Sequence, residues 1–280
     1  MEKLQAALNQ ARRKRGEHGV GLPEKTSSSR SGRAQGPKRV QEQWAALPEM
    51  ELSSEVLEKH RVVTKEASPA AAPFDVLRTK ILVQMRKNGW RRLAITSPTP
   101  QSGKTTTACN LSLGLGRQDE MRTILLDLDL RSPSMSEYFD TKPNAEVGQV
   151  LTGQVPFAEQ AMRIGDNVAV SMSSTAEKDP SRLLLAEETA EILDQIETLY
   201  RPDIMIFDLP SVLVNDDTRA FLKNVDCALI VVRANKTRYG QFDSCEREIA
   251  EQTNVLGVVL NADQYGSDNL SAPDRNRDSL

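Results

Sequence analysis

The stretch that decides the fold is Ile95–Ser112, "ITSPTPQSGKTTTACNLS". An apolar run, Leu93-Ala94-Ile95, enters it as a buried strand. Pro98 and Pro100 break the run, and Ala108–Gly116 leaves it as an amphipathic helix. The spacing Pro98-x-x-x-x-Gly103-Lys104-Thr105 is that of a phosphate-binding loop in which Pro98 replaces the usual leading glycine. In such a loop the backbone N–H groups of Gln101, Ser102, Gly103, Lys104, Thr105 and Thr106 curl around a phosphate at a helix start, where the aligned peptide dipoles favour negative charge. Gly103 lets the chain approach without a Cβ in the way. Lys104 adds a point charge toward the β- and γ-phosphates, the Thr105 hydroxyl completes a Mg²⁺ shell, and Thr106 donates to the α-phosphate.

Outward from the loop, apolar strands alternate with helical patterns. Strands are expected at Leu93–Thr96, Thr123–Leu126, Asn167–Ser171, Ile204–Phe207, Ala228–Arg233 and Val255–Leu260. Helices are expected at Phe74–Met85, Leu184–Tyr200 and Gln241–Gln252. This alternation predicts an α/β fold, a P-loop NTPase with a mostly parallel sheet covered by helices on both faces. Ligands of such sheets sit beyond the carboxyl ends of the strands, where "ILLDLDLRSPS" places Asp127, Asp129 and Arg131 and "IMIFDLPS" places Asp208. Two strand-terminal carboxylates complement the loop. Asp208, with Thr105 and Asp127, is a candidate metal ligand. Asp127 or Asp129 is a candidate acceptor for the proton of whatever oxygen attacks the γ-phosphate. A strand-terminal Asp can equally cap the next turn, but Asp127 and Asp208 together with Lys104 and Thr105 point to a nucleoside triphosphate with Mg²⁺.

Composition narrows the class. The chain has 280 residues, 39% hydrophobic and 27% charged, enough for one large domain with appendages. No run approaches the roughly 18 apolar residues of a membrane span. The opening "MEKLQAALNQARRKRGEHG" puts its basic cluster after the apolar residues, so it does not read as a secretory signal. Cys109, Cys227 and Cys245 read as reduced cytosolic thiols, and His18 and His60 alone argue against a histidine metal site. Residues 11–39 hold nine Lys and Arg against Glu17 and Glu24, a net +7, which leaves −10 on the rest of a chain whose total is −3. A basic tail on an acidic body suits something anionic, whether a membrane surface, a partner or nucleic acid, or is simply a solvated linker. The expected organisation is a basic, largely disordered tail over residues 1–67 with a short amphipathic helix at Met1–Arg15. A P-loop nucleotide-binding domain over 68–265 and a loose end over 266–280 follow.

The combination "ITSPTPQSGKTTTACNLS", "ILLDLDLRSPSM", "IMIFDLP", "LIVVRANKTR" and "NVLGVVLNAD" resembles the cytoplasmic domain of bacterial tyrosine kinases (BY-kinases), over roughly Phe74 to Asp263. "VGQVLTGQVPFAEQAM" and "DPSRLLL" agree with it, and "EKLQAALNQARRKR" resembles the start of stand-alone members. The resemblance implies an ATP-dependent protein-tyrosine kinase regulating capsule or exopolysaccharide polymerisation and export. It implies a cytoplasmic protein held at the inner face of the membrane by a chain-length (polysaccharide co-polymerase) partner, with homo-oligomers possible and nucleic acid not expected. On matching positions it implies Lys104 and Thr105 for phosphate and Mg²⁺, Asp127 and Asp129 as an acidic pair, and Asp208 as metal aspartate. Arg131 is implied near the phosphates or a subunit contact, and Asn261 near the adenine.

The departures are specific. The family's Glu-x-x-Arg-x-x-Arg ring helix reads Ala72, Asp75, Arg78 here. The C-terminal tyrosine cluster is reduced to Tyr265, and the third motif continues Leu209-Pro210-Ser211. Two alternatives therefore stay open: an ATP-driven switch that docks on a membrane partner, and a positioning ATPase. Thr99, standing where positioning ATPases carry a second lysine, argues against the latter.

Overall fold

The computed structural model describes residues 37–262. The expected helix at Met1–Arg15, the remainder of the tail to residue 36, and the end at 266–280 lie outside them. The seven strands are β1 (Arg92–Thr96), β2 (Thr123–Asp127), β3 (Met162–Ile164), β4 (Val168–Ser171), β5 (Ile204–Asp208), β6 (Cys227–Arg233) and β7 (Asn254–Asn261). They form one sheet in the order β3-β4-β2-β5-β1-β6-β7. Every pairing is parallel except β3 with β4. Every residue of β2 and β5 is buried, which is why these strands are unbroken apolar runs rather than alternating ones.

The major helices are α1 (Pro37–Ala45), α2 (Ser54–Lys59), α3 (Ala72–Asn88), α4 (Lys104–Gly116), α5 (Pro180–Leu185), α6 (Glu187–Tyr200), α7 (Asp217–Phe221) and α8 (Tyr239–Ala250). The helical pattern expected at Leu184–Tyr200 is split in two. Asp179 and Pro180 start α5, and Ala186, in an extended conformation, separates it from α6. Helix α4 is buried almost all round because it runs between the sheet and α3, with Ala108, Cys109, Leu111 and Leu115 in the core. Its face toward α3 receives Arg78, which donates to the Gly114 carbonyl at 2.7 Å and pairs with Asp75, itself bound to Arg117. The two charged residues left in the ring-helix register are thus engaged inside their own chain.

The boundary expected at residue 68 is corrected: residues 37–67 pack into the body. Val40, Trp44, Leu47, Met50, Leu57 and Val62 are buried. The Trp44 indole donates to the Tyr200 carbonyl at 2.7 Å and meets its ring edge-on, and Phe157 closes the same aromatic cluster. Beyond α1 the chain turns along the outer strand. Arg163 donates from its amide to the Pro48 carbonyl, the Met50 amide donates to the Arg163 carbonyl, and Glu49 pairs with the Arg163 guanidinium at 2.7 Å. The segment covers the open backbone edge of β3, a strand that would otherwise present unpaired groups. Its apolar residues are spread over two short helices and an extended stretch, so no single periodicity announces them.

Candidate active site

The sheet order places β5 between β1 and β2, so the loop after β1 and the ends of β5 and β2 converge. Asp127 and Asp208 are direct neighbours in the β2–β5 register. Gly103 precedes α4 with φ +92°, and a Cβ there would lie 2.0 Å from Asn261 Nδ2. Asn261, at the end of β7, donates to the Ser102 carbonyl at 2.9 Å and so braces the loop from the far side of the sheet. No side chain caps the start of α4, which leaves its first turn pointing into a cavity of about 670 Å³. Gln101, Gly103, Lys104, Thr105, Thr106, Asp129 and Asn261 line that cavity. The Ser102 hydroxyl instead turns inward onto the Thr99 carbonyl.

The side chains divide by chemistry. Lys104 is nearly buried, with its ammonium 4.0 Å from an Asp129 oxygen. Burial pushes the Asp129 carboxyl up, and Lys104 pulls it back. The Thr105 hydroxyl donates to Asp208 Oδ2 at 2.5 Å, whereas Asp208 Oδ1, fully buried, has no hydrogen-bond partner. Burial pushes the Asp208 carboxyl up to about 7, against the opposing effects of Lys104 and the Thr105 hydroxyl. Burial and then the charge of Asp208 push Asp127 up as well. Among the described residues no group of three or more His, Cys, Asp or Glu gathers as a metal cage. The donor set fits a hard divalent cation that keeps most of its shell from water and substrate oxygens, with a hydroxyl and a carboxylate oxygen of open valence beside it.

Two residues sit elsewhere than the sequence placed them. Neither Asp127 nor Asp208 lines the cavity directly, but Asp208 meets the lining residue Thr105 through its hydroxyl, whereas the Asp127 oxygens accept the amides of Asp129 and Met135, both at 3.2 Å. Asp127 fastens the turn that carries Asp129, as a strand-terminal Asp commonly does. Arg131 points away as well, onto the buried Asp217 at 2.6 Å, which also accepts from the Ser181 hydroxyl. Opposite charge on α7, invisible in the local sequence, captures it.

Several lining residues were missed. Arg233 ends β6 and donates to the Gln101 carbonyl at 3.1 Å; its place at a strand's carboxyl end was a usable signal. Tyr138, whose hydroxyl is 3.0 Å from the Thr106 hydroxyl, and Lys59, His60 and Arg61 gave none, because they reach the site through long-range contacts.

No family model matches the sequence. The chain is similar to tyrosine-protein kinase YwqD of Bacillus subtilis, 26% identical over 202 residues that cover 71% of this chain and 84% of that protein. It is also similar to the putative tyrosine-protein kinase EpsB of Ralstonia solanacearum, 25% identical over 196 residues. These are 69% of this chain but 26% of EpsB, so the chain spans about a quarter of that relative's length. In fold it is similar to the kinase domain of the Escherichia coli tyrosine kinase ETK, with a TM-score of 0.66 and 21% identity, covering 81% of this chain and 94% of that one. A more distant similarity, TM-score 0.50 and 20% identity over 64% of this chain and 79% of the other, is to a Mycobacterium smegmatis cobyrinic acid a,c-diamide synthase with bound ADP and magnesium. No helix among the described residues is long and apolar enough to cross a membrane.

Proposed function

We propose that this chain is an ATP-dependent protein-tyrosine kinase of the bacterial type, acting with a membrane chain-length partner in capsule or exopolysaccharide assembly. The observation that carries the reading is the Thr105–Asp208 contact beside the Lys104–Asp129 pair, directly under a glycine turn and an uncapped helix start. That geometry supplies each element an in-line phosphoryl transfer requires, namely positioning and charge stabilisation. The similarity to YwqD and EpsB supports tyrosine as the acceptor class.

In this reading the loop amides and Lys104 hold the β- and γ-phosphates of ATP. Thr105 and Asp208 would hold Mg²⁺, which would supply neutralising charge for the phosphates. Asp129, the acidic residue on the cavity wall, accepts the phenolic proton as the phosphoryl group passes to the tyrosine oxygen and ADP leaves. Tyr200 is excluded as an acceptor, being buried with its hydroxyl pushed up to about 12 by that burial. Tyr239, 54% exposed at the start of α8, is the most exposed described tyrosine, Tyr138 is half-buried on the cavity wall, and Tyr265 lies outside the described residues.

The test compares wild type with Lys104→Ala after incubation with ATP and Mg²⁺, scoring phosphotyrosine by mass spectrometry and free phosphate in parallel. Phosphotyrosine in the wild type and none in the variant is the expected result. Lys104-dependent release of free phosphate with unmodified tyrosines would instead establish the ATP-driven switch.

A further inference from the structure

The segment Ser53–Thr64, comprising α2 and the turn after it, lies along the first turns of α4. Three consecutive residues on it, Lys59, His60 and Arg61, line the same cavity as Lys104 and Thr106. The contact is fastened at the carboxyl end of the segment. Asn110, fully buried on α4, accepts the Val63 amide at 2.8 Å and donates to the carbonyls of Arg61 (2.9 Å) and Thr106 (2.8 Å). The buried Thr64 hydroxyl donates to the Asn110 carbonyl at 2.6 Å. Arg61 is held there with φ +58°, a left-handed conformation that non-glycine residues keep only where the surroundings impose it. A second link runs through the rings. His60 lies on Tyr138 with centroids 4.4 Å apart and planes at 33°, and Tyr138 meets Thr106 through its hydroxyl.

We propose that this strap is part of the nucleotide site: Lys59 and Arg61 bind the phosphate and ribose side of the nucleotide next to Thr106, and strap docking and nucleotide binding stabilise each other. The inference rests on the nucleotide reading of the preceding section and adds to it two charge contacts and a coupling. Among the described residues neither Lys59 nor Arg61 forms a salt bridge, although both face the cavity. With Lys104 and Arg233 they make its wall strongly basic against the single carboxylate of Asp129. An anionic ligand is the partner such unpaired cations fit. Because Asn110 ties the Arg61 and Thr106 carbonyls together, a ligand that orders the first turn of α4 also orders the strap, and the reverse must hold equally.

The test uses the full chain and Mg-ADP, which binds without turnover. Calorimetric titrations compare wild type, Lys59→Ala/Arg61→Ala and the charge-conserving Lys59→Arg/Arg61→Lys, each first checked for an unchanged urea midpoint. Trypsin cleavage after residues 59 and 61 is timed with and without Mg-ADP. The alanine pair should bind about tenfold more weakly and with a shallower salt dependence, as two exposed charge contacts of ordinary strength predict. The charge-conserving pair should stay within about twofold of wild type on the same reasoning, and Mg-ADP should slow cleavage. If wild type binds Mg-ADP but the alanine pair binds equally well, the strap is not in the site and the proposed function stands. Equal losses in both variants would overturn the charge contacts in favour of packing. If wild type itself does not bind Mg-ADP, the nucleotide reading fails, and this inference falls with it.

Discussion

Trp44→Ala is expected to destabilise the protein by about 3–5 kcal/mol, the range for truncating a fully packed large aromatic side chain. The structure sets the magnitude: Trp44 is 2% exposed, stands edge-on to Tyr200 with centroids 6.2 Å apart, and spends its indole N–H on the Tyr200 carbonyl. Trp44→Phe keeps most of the apolar surface and removes that hydrogen bond, so it should cost about 1–2 kcal/mol. Urea unfolding followed by far-ultraviolet circular dichroism would read both. With a slope near the upper end for globular proteins, about 3 kcal/mol/M, the alanine variant's midpoint falls by roughly 1–1.7 M. The ordering matters as much as the size, because only a tryptophan built into the core separates the two variants this way. A shift of the alanine variant below about 0.3 M would mean that residues 37–50 are loosely attached, and the corrected boundary would be wrong.

Asp208→Asn removes a buried charge that nothing described here neutralises fully. At about pH 8 the nucleotide-free variant should melt roughly 2–8 °C above wild type while losing the magnesium-dependent part of its ADP affinity; a lower melting temperature would contradict the account. Glu146 is half-buried, which alone would raise its carboxyl, but the Ser174 and Thr175 amides and the Ser174 hydroxyl hold it below the usual range. Its ionised form therefore stabilises the fold above the ordinary glutamate pKa, and the contribution is lost as pH falls through the lowered folded value. Glu146→Gln should cost about 1–2 kcal/mol at neutral pH and converge on wild type in acid, so a pH-independent difference in urea midpoint would count against it.

The strand-loop-helix from Leu93 to Gly116 was legible in the sequence because each of its determinants is local. Apolar β-formers precede it, two prolines break it, and Gly103 takes the one conformation the loop demands. The central parallel strands followed for the same reason, since strands buried on both faces, such as β2 and β5, must be written as continuous apolar runs. The Thr105–Asp208 contact was half legible: both residues could be named, but only the insertion of β5 between β1 and β2 brings them together. What tertiary structure alone decided is where equal-looking charges go. Asp127 and Asp129 are two residues apart with opposite fates, one consumed by backbone amides and one on the cavity wall, and Arg131 is taken by an aspartate 86 positions away. The same holds for residues 37–64, whose backbone groups find the edge of β3 and Asn110, and whose Trp44 finds the end of α6, only after the sheet exists. Local propensity fixes a conformation within a few residues, whereas a partner is chosen by whichever distant group the assembled fold leaves unsatisfied.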